Sequence, residues 1–204
     1  MHVTGDQVKA FWKYMSKKYG FQIVQKDNAV AMQIVGWALE QMDIQDQDEF
    51  LSRYSTTVCL GDFKAVYIPF EIGKGNQAQL IAQILTCVHE TEHVLQAKRD
   101  PLQPVKYLQS DANRAFYEAD AYRTNMEMYW FFTGKLIAPK SLANLLKGYS
   151  VGKADRRIAE KHLKIASKVV ERGGVISTPS KVAIRWWKAQ KKTAKFRKVS
   201  LLTV

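Results

Sequence analysis

Hydrophobic residues recur at helical spacing near the start of the chain. The apolar positions are Val8, Phe11, Trp12, Met15 and Tyr19. Their spacing of three or four residues places them on one face of a helix. Thr4 and Gln7 have the spacing of a capping box, and Gly20 can end a helix in the left-handed conformation. We therefore predict a helix over residues 4–19.

Alternating and β-branched stretches predict a small sheet. Residues 21–25 alternate between apolar and polar side chains, which is typical of a short strand. Residues 56–60 and 63–70 are rich in β-branched and aromatic residues and flank Gly61-Asp62, which predicts a β-hairpin. Pro69 cannot donate to a ladder, so the second strand lies at a sheet edge or ends there. Between these strands the pattern predicts one helix to about Met42 and a short helix over residues 46–54.

The most extended apolar stripe predicts a helix over residues 77–96. Its buried positions are Leu80, Ile81, Ile84, Leu85 and Val88. Asn76 is a suitable N-cap, with Gln79 at the third helical position. Pro101 follows Asp100 and breaks the pattern. A second helical run over residues 107–132 begins after this break.

Two further helices are predicted towards the C-terminus. Residues 155–172 form one helical pattern, which Gly173-Gly174 closes, and another begins at Thr178 with Pro179 in its first turn. The apolar seam of the last helix is Val182, Trp186, Ala189, Thr193 and Phe196. The basic positions on the neighbouring face are Lys181, Arg185, Lys188, Lys192 and Lys195. We expect this helix to dock through its aromatic seam with its lysines in water.

The composition is that of a globular protein. The chain has 204 residues, of which 47% are hydrophobic, and this is enough for one domain with a sizeable core. No apolar run approaches the roughly 18 residues that span a bilayer, and the N-terminus lacks the features of a secretory signal. The two cysteines form no disulfide framework. We expect a cytoplasmic protein, although export or packaging by another route would leave no mark in the sequence.

The positive charge is concentrated at the C-terminus. The formal net charge is +12, and residues 172–204 contribute nine basic residues and no acidic residue, so residues 1–171 carry only +3. Such a basic segment beside tryptophans can bind nucleic acid, anionic lipid or an acidic partner, here through Lys181 to Lys198. The greater part of the chain is nearly neutral.

The predicted helix over residues 77–96 contains side chains that could bind a metal ion, in the segment His89-Glu90-Thr91-Glu92-His93. Residues four apart share a helix face, so His89 and His93 can direct ring nitrogens at one metal ion, with Glu90 beside it. Zinc with three protein ligands and one open position lowers the pKa of its bound water to about 7, and a neighbouring carboxylate can take the proton. The same residues also fit a surface helix with solvated histidines. They satisfy the inverted pattern H-x-x-E-H as well, with Glu92 as the base.

A third ligand would decide between these interpretations. Glu118 lies 25 residues after His93, on the second helical run. The H-E-x-x-H pattern, followed by Val94 and Gln96 and then by the stretch 117–120 (Tyr-Glu-Ala-Asp), resembles the gluzincin metallopeptidases over about residues 77–130. The resemblance implies that a downstream Glu-Ala-Asp element completes the zinc site. On this basis we expect one Zn²⁺ ion per chain.

The resemblance also implies a fold and a ligand set. It implies an α+β, mostly helical, zincin-like domain in which a small antiparallel β-hairpin or sheet packs on the H-E-x-x-H helix. We assign residues 1–150 to this domain and residues 151–204 to a basic helical extension. His89, His93 and Glu118 would bind zinc, and Glu90 would be the general base. One hairpin strand, preferably that near Val66, would pair with an extended substrate; a hairpin that only covers the core is the alternative.

Several further residues are candidates for supporting roles. Asp120 and Glu92 could orient a ligand through hydrogen bonds, and both could equally be solvated carboxylates. Peptide hydrolysis also needs a donor for the developing oxyanion. The candidates are Tyr122, Tyr117 and His162, with Tyr107 and Tyr129 as further possibilities. The sequence does not select among them.

These observations predict a zinc-dependent metallopeptidase acting on a peptide or protein substrate. Glu90 would act first as general base and then as acid to the leaving amine. One rival is a zincin-like structural or interaction protein that cleaves nothing, but a purely structural site has no use for Glu90. The other rival is a nucleic-acid-binding protein that acts through residues 172–204.

Overall fold

The structure is a computed structural model that describes residues 1–26 and 55–200, with side chains described up to residue 190. The helices predicted between residues 28 and 54 lie outside the described residues. The described elements are α1 (Gly5–Tyr19), β1 (Gln22–Gln25), β2 (Thr56–Leu60), β3 (Phe63–Ile68), α2 (Gln77–Arg99), α3 (Gln103–Gln109), α4 (Asp111–Thr133), α5 (Pro139–Leu145), a 3₁₀ helix (Leu146–Tyr149), α6 (Lys153–Glu171) and α7 (Thr178–Ser200). This part of the chain is mostly helical, with one small sheet.

The first helix begins and ends as its sequence predicts. Thr4 and Gln7 form a complete capping box, and Gly20 ends α1 with a φ of 73°. Trp12, fully buried, donates its indole N–H to the carbonyl of Gln83 in α2 at 3.1 Å. The apolar face of α1 therefore packs on the helix that carries the H-E-x-x-H pattern.

The sheet is mixed, whereas an antiparallel sheet was predicted. β2 and β3 form the expected hairpin, but β1 pairs with β3 in parallel, giving the strand order β1-β3-β2. The prediction that a substrate would pair near Val66 is therefore wrong, because Val66 lies on the central strand and both edges of that strand are occupied. In the described part of the chain, β2 is paired on one side only.

Helix α2 is anchored at its N-terminus before it enters the core. Asn76 and Gln79 form the predicted capping box. The Gln83 side chain accepts a hydrogen bond from the Gly73 N–H at 2.8 Å and donates to the carbonyl of Lys74, also at 2.8 Å. Gly73 has a φ of 82° and its backbone lies against Gly5 so closely that a Cβ would clash. These contacts fix the axial position of α2.

The second helical run is divided in two. The pattern predicts one helix over residues 107–132, but Ser110 is extended and its side chain caps α4 by accepting from the Asn113 N–H. A serine of this kind offers an N-cap in competition with helix continuation. The chain therefore turns between α3 and α4, and α4 packs along α2.

Helices α6 and α7 both contact the central helices. The apolar face of α6 packs on α4 and α5, and α7 packs on α2 and α4. Trp187 is fully buried against Phe11 and Phe132. The buried seam of α7 therefore centres on Ile184 and Trp187, one residue away from the predicted Trp186. The division of the chain at residue 150 stays a prediction.

The basic positions at the start of α7 face solvent. Lys181, Arg185 and Lys188 are exposed, as predicted, while the tryptophans point into the protein. Binding of nucleic acid or of an acidic partner through Lys181 to Lys198 stays a prediction. No helix among the described residues combines the length and apolar character needed to cross a bilayer.

Candidate metal centre

Three predicted ligands converge between α2 and α4. The Nε2 atoms of His89 and His93 are 3.2 Å apart. The Glu118 carboxylate faces both rings, with Oε2 3.4 Å from His89 Nε2 and Oε1 3.4 Å from His93 Nε2. All three side chains are buried, and together they form a cluster that could hold a metal ion.

Helix periodicity brings the two histidines together, and helix packing adds Glu118 as the third ligand. His89 and His93 are one turn apart on α2, so their rings lie on the same face. Glu118 reaches them because α4 runs along that face. Its Oε2 atom is buried and has no hydrogen-bond partner in the described structure. A buried carboxylate oxygen that lacks a donor is costly unless a cation binds it, so this atom fits the role of a metal ligand.

Polar side chains behind the ligands orient them. Tyr107 donates its hydroxyl to Glu118 Oε1 at 2.7 Å. Gln96 Oε1 lies 2.8 Å from His93 Nδ1, and Gln96 Nε2 donates to the carbonyl of Tyr117 at 2.9 Å. Because that carbonyl can only accept, the amide presents its oxygen to His93. In the neutral ring the proton of His93 then lies on Nδ1, which leaves Nε2 available to a metal.

The Nδ1 atom of His89 also faces an amide oxygen, at a longer distance than that of His93. Its Nδ1 atom lies 3.3 Å from Asn125 Oδ1 on α4. An amide oxygen at this position favours a proton on Nδ1, and therefore an unprotonated Nε2 towards the cluster. The ring also packs edge-on against Tyr122, with centroids 5.0 Å apart. Both imidazoles are thus fixed in the orientation that a metal site requires.

The ligands perturb one another electrostatically. Burial alone would lower the pKa of His93, but the Glu118 carboxylate stabilises the protonated ring and raises its pKa to about 9. Burial alone would raise the pKa of Glu118, but His93 and His89 outweigh it and hold the pKa well below its usual range. The carboxylate is therefore ionised throughout the neutral range, as a ligand for a cation must be.

Glu90 lies beside this cluster, at the wall of a cleft. The cleft has a volume of about 400 Å³, and its lining includes His89, Glu90, Tyr122 and Asn125. The Thr57 hydroxyl on β2 donates to Glu90 Oε2 at 2.7 Å. Glu90 is therefore held from the sheet side, where β2 contacts α2.

Tyr149 lines the same cleft from the end of the 3₁₀ helix. Burial raises the pKa of its hydroxyl well above the usual value, and the negative charge of Glu118 adds to this effect. The buried Arg114 donates to the Tyr149 carbonyl at 3.1 Å and to the carbonyl of Tyr107 at 3.2 Å. Arg114 also forms an ion pair with Asp111. One guanidinium thus fixes the backbone of two tyrosines near the centre.

The other predicted site residues lie elsewhere. Glu92 pairs with Arg99 and does not line the cleft. Asp120 pairs with Arg123 at 2.8 Å and with His162 at 3.3 Å, on the side of α4 that faces α6. The inverted H-x-x-E-H interpretation requires Glu92 at the cleft. Glu90 lines the cleft instead.

Two of the tyrosine candidates are also directed away from the cleft. The Tyr117 hydroxyl donates to Asp100 at 3.1 Å, at the turn that follows α2. Tyr129 packs at the margin of the main hydrophobic core. Tyr107 is bonded to the third ligand, so Tyr122 is the predicted oxyanion candidate that lines the cleft.

Sequence reasoning missed four residues of the site. Asn125 is seven positions after Glu118 and so shares its helix face, a signal that was available. Gln96 is three positions after His93 and was noted only as part of the motif. Thr57 and Tyr149 come from distant segments, and no local pattern marks them.

Comparison of the chain with protein-family models, with curated proteins and with solved structures finds no match. The resemblance to gluzincins therefore depends on the residues themselves, and the geometry supports its coarser part. His89, His93 and Glu118 form a buried cluster with H-x-x-x-H spacing that could bind a metal.

Proposed function

We propose that this protein is a zinc-dependent hydrolase that cleaves peptide bonds. The observation that carries the proposal is the buried convergence of two imidazoles and one carboxylate beside a second, hydrogen-bonded glutamate in a cleft. A site with three protein ligands and an accessible side is typical of catalytic zinc, whereas structural zinc sites are closed by a fourth protein ligand.

The spacing of the ligand atoms supports zinc as the metal. Donor atoms about 2.0 Å from a tetrahedral zinc ion are about 3.3 Å from one another. The two Nε2 atoms are 3.2 Å apart, and each ring is 3.4 Å from the Glu118 oxygen that faces it, Oε2 for His89 and Oε1 for His93, so each of these pairs has the separation of two zinc ligands. The set of two imidazoles and one carboxylate suits the same ion. A bound zinc ion would acidify a water molecule and polarise a carbonyl group.

Glu90 is the residue we assign to proton transfer. Its carboxylate lies at the cleft wall next to His89, and the Thr57 hydroxyl fixes one of its oxygens. The other oxygen can take a proton from water and give it to the leaving amine. A carboxylate held in one orientation transfers protons more effectively than a mobile one, because its geometry is set before reaction.

Tyr149 and β2 are the elements we assign to the substrate. The Tyr149 side chain lines the cleft together with Glu90, and the hydrogen bond from Arg114 to the Tyr149 carbonyl fixes its backbone. We therefore assign the Tyr149 hydroxyl as the donor to the carbonyl oxygen of the scissile bond. The edge of β2 that is unpaired in the described part of the chain can accept an extended peptide through backbone hydrogen bonds.

The experiment compares metal content and proteolysis in the same preparations. Wild-type protein, loaded with zinc, is incubated with an unstructured protein such as casein, alongside Glu90→Gln and Glu92→Gln variants. We expect the Glu90→Gln variant to retain zinc and to lose at least about a thousandfold in kcat/KM. The Glu92→Gln variant is the matched control and keeps wild-type activity.

Two outcomes would contradict the proposal. If the Glu90→Gln variant retains zinc and its activity, the protonation role assigned to Glu90 is wrong. If the zinc-loaded wild type binds zinc tightly but cleaves neither casein nor a library of unstructured peptides, the zincin-like structural interpretation replaces hydrolysis.

A further inference from the structure

Helix α6 has a second, partly apolar face that is exposed in the described part of the structure. Its first face, which includes Ala159, Leu163 and Ala166, is buried against α4 and α5. Ile158 and Ile165 lie outside that face and are 64% and 70% exposed. Large aliphatic side chains at this exposure are common singly, but aligned on one helix they form a surface.

The exposed positions follow the spacing of a helix-docking seam. Ile158, His162, Ile165 and Val169 are separated by four, three and four residues, so they form one line along α6. This is the a/d spacing through which one helix packs on another. His162 is half-buried and pairs with Asp120 of α4, so the exposed apolar members of this line are Ile158, Ile165 and Val169. Phe116 of α4 lies beside this line, with its ring 6.4 Å from that of His162. The seam and Phe116 together form an exposed apolar surface along α6 and α4, which we call the α6 groove.

The rim of the α6 groove is basic. The exposed cations on this side are Arg157, Lys161, Lys164 and Lys168 of α6 and Arg172, which directly follows it, and Glu171 is the exposed acid beside them. Lys164 pairs with Glu160 at 2.7 Å, whereas no ion pair joins Lys161 or Lys168 to any residue that the structure describes. Lys161 and Lys168 each precede a seam residue by one position, which is where interhelical charge pairs form.

We propose that the α6 groove binds an amphipathic helix of an acidic partner protein. The partner would place apolar side chains on the seam and Glu or Asp beside Lys161 and Lys168. A second copy of this chain is disfavoured, because two basic rims and a net charge of +12 on each copy would face each other.

Other classes of ligand fit the surface less well. Nucleic acid would cover the exposed isoleucines with phosphates and sugars, and the seam itself offers one imidazole for stacking. A bilayer would bury a broad apolar face, but this seam is one side chain wide and borders the packed core. The α6 groove is one line of apolar side chains with mainly basic residues along one side, and these are the features of a helix-binding site.

A synthetic peptide tests the proposal with the full chain. The probe is a fluorescein-labelled amphipathic helix of about three heptads, with Leu at a and d and Glu at e and g. It is titrated by fluorescence anisotropy at a concentration where ultracentrifugation finds it monomeric. The comparison peptide has Lys in place of Glu. The protein variants are Ile165→Glu and, as a matched control, Phe63→Glu, because Phe63 is 43% exposed at the start of β3, beside the hairpin turn.

We expect saturable binding of the acidic peptide, with affinity at least about tenfold lower for Ile165→Glu and unchanged for Phe63→Glu. The Lys peptide should bind at least about tenfold more weakly than the Glu peptide. Because Ile165 is exposed, Ile165→Glu should keep the wild-type melting temperature. The result does not depend on zinc or on proteolysis.

Three results would overturn this assignment. The first is no saturable binding of the acidic peptide up to about 100 µM. The second is an equal effect of the Phe63→Glu control. The third is that single-stranded RNA, or vesicles containing phosphatidylserine, bind more tightly than the peptide and lose that binding in Ile165→Glu.

Discussion

Replacing Gln96 by leucine should weaken metal binding without touching a ligand. Gln96 bridges the two helices of the site, because its amide oxygen contacts His93 Nδ1 at 2.8 Å and its amide nitrogen donates to the carbonyl of Tyr117 at 2.9 Å. Tyr117 directly precedes Glu118. One buried side chain therefore fixes the tautomer of the second ligand and the backbone beside the third.

The magnitude follows from these two contacts. Loss of a polar group that orients a metal-bound histidine lowers metal affinity by about 10–100-fold. The substitution also leaves buried polar atoms on His93 and Tyr117 with one partner fewer, which costs about 1–3 kcal/mol in the free energy of unfolding of the metal-free protein. Leucine is close to glutamine in volume, so little of either effect should come from a cavity.

Competition with a chromophoric zinc chelator gives the affinity, and urea denaturation in excess chelator gives the stability of the metal-free protein. Gln103→Leu is the control, because Gln103 is a buried glutamine of α3 outside the ligand cluster. A zinc affinity for Gln96→Leu within about a factor of two of wild type would refute the orienting role.

Three further predictions concern single side chains of the core and the site. Glu127→Ala should lower the free energy of unfolding by about 3 kcal/mol, measured in urea, because the buried carboxylate accepts two backbone N–H groups, at 2.6 and 3.0 Å, just before α7. Burial lowers the pKa of Lys26 from 10.5 to about 7, although Glu90 opposes this shift. Between these pH values the unfolded chain binds a proton at Lys26 that the folded chain does not, so Lys26 should add about 1 kcal/mol per pH unit to the slope of stability against pH. The raised pKa of His93 acts in the opposite direction up to about pH 9, so the slopes of variants are compared. The slope should be lower in Lys26→Met than in wild type and unchanged in the exposed control Lys13→Met; equal slopes in all three proteins would contradict this. Thr57→Val should lower kcat/KM on casein about tenfold at unchanged zinc content, because it removes the hydrogen bond to Glu90; unchanged kcat/KM would contradict this role.

Local signals predicted the elements that carry the site. The capping boxes at Thr4 and Asn76 and the turn at Gly61-Asp62 are encoded within four residues, and the structure has each of them. The buried cluster of His89, His93 and Glu118 was also predicted, because helix periodicity fixes the first two and a recognisable downstream motif supplies the third.

Contacts between distant segments were not predictable in the same way. The parallel pairing of β1 with β3 depends on how the chain returns to the sheet, and no local pattern of β1 distinguishes parallel from antiparallel neighbours. Tyr149 reaches the cleft through a bond of its backbone to Arg114, 35 residues earlier in the chain. The break at Ser110 was missed because apolar periodicity continues through it, while the serine cap acts on the backbone.

The buried face of α7 shows how packing refines periodicity. Trp186 and Trp187 are adjacent, so a pattern of threes and fours fits either one. In the structure Trp187 is fully buried between Phe11 and Phe132, and Trp186 is partly exposed and stacks on Tyr14. Only the shape of the neighbouring helices decides which ring is enclosed.

Metal stoichiometry tests the central claim most directly. Inductively coupled plasma mass spectrometry is applied to the wild type and to His93→Ala, Glu118→Ala and Glu90→Gln variants, each dialysed after zinc loading. We predict about one zinc ion per chain in the wild type and in Glu90→Gln, and little or none in His93→Ala and Glu118→Ala. A wild type without zinc, or a His93→Ala variant that retains one ion per chain, would contradict the account.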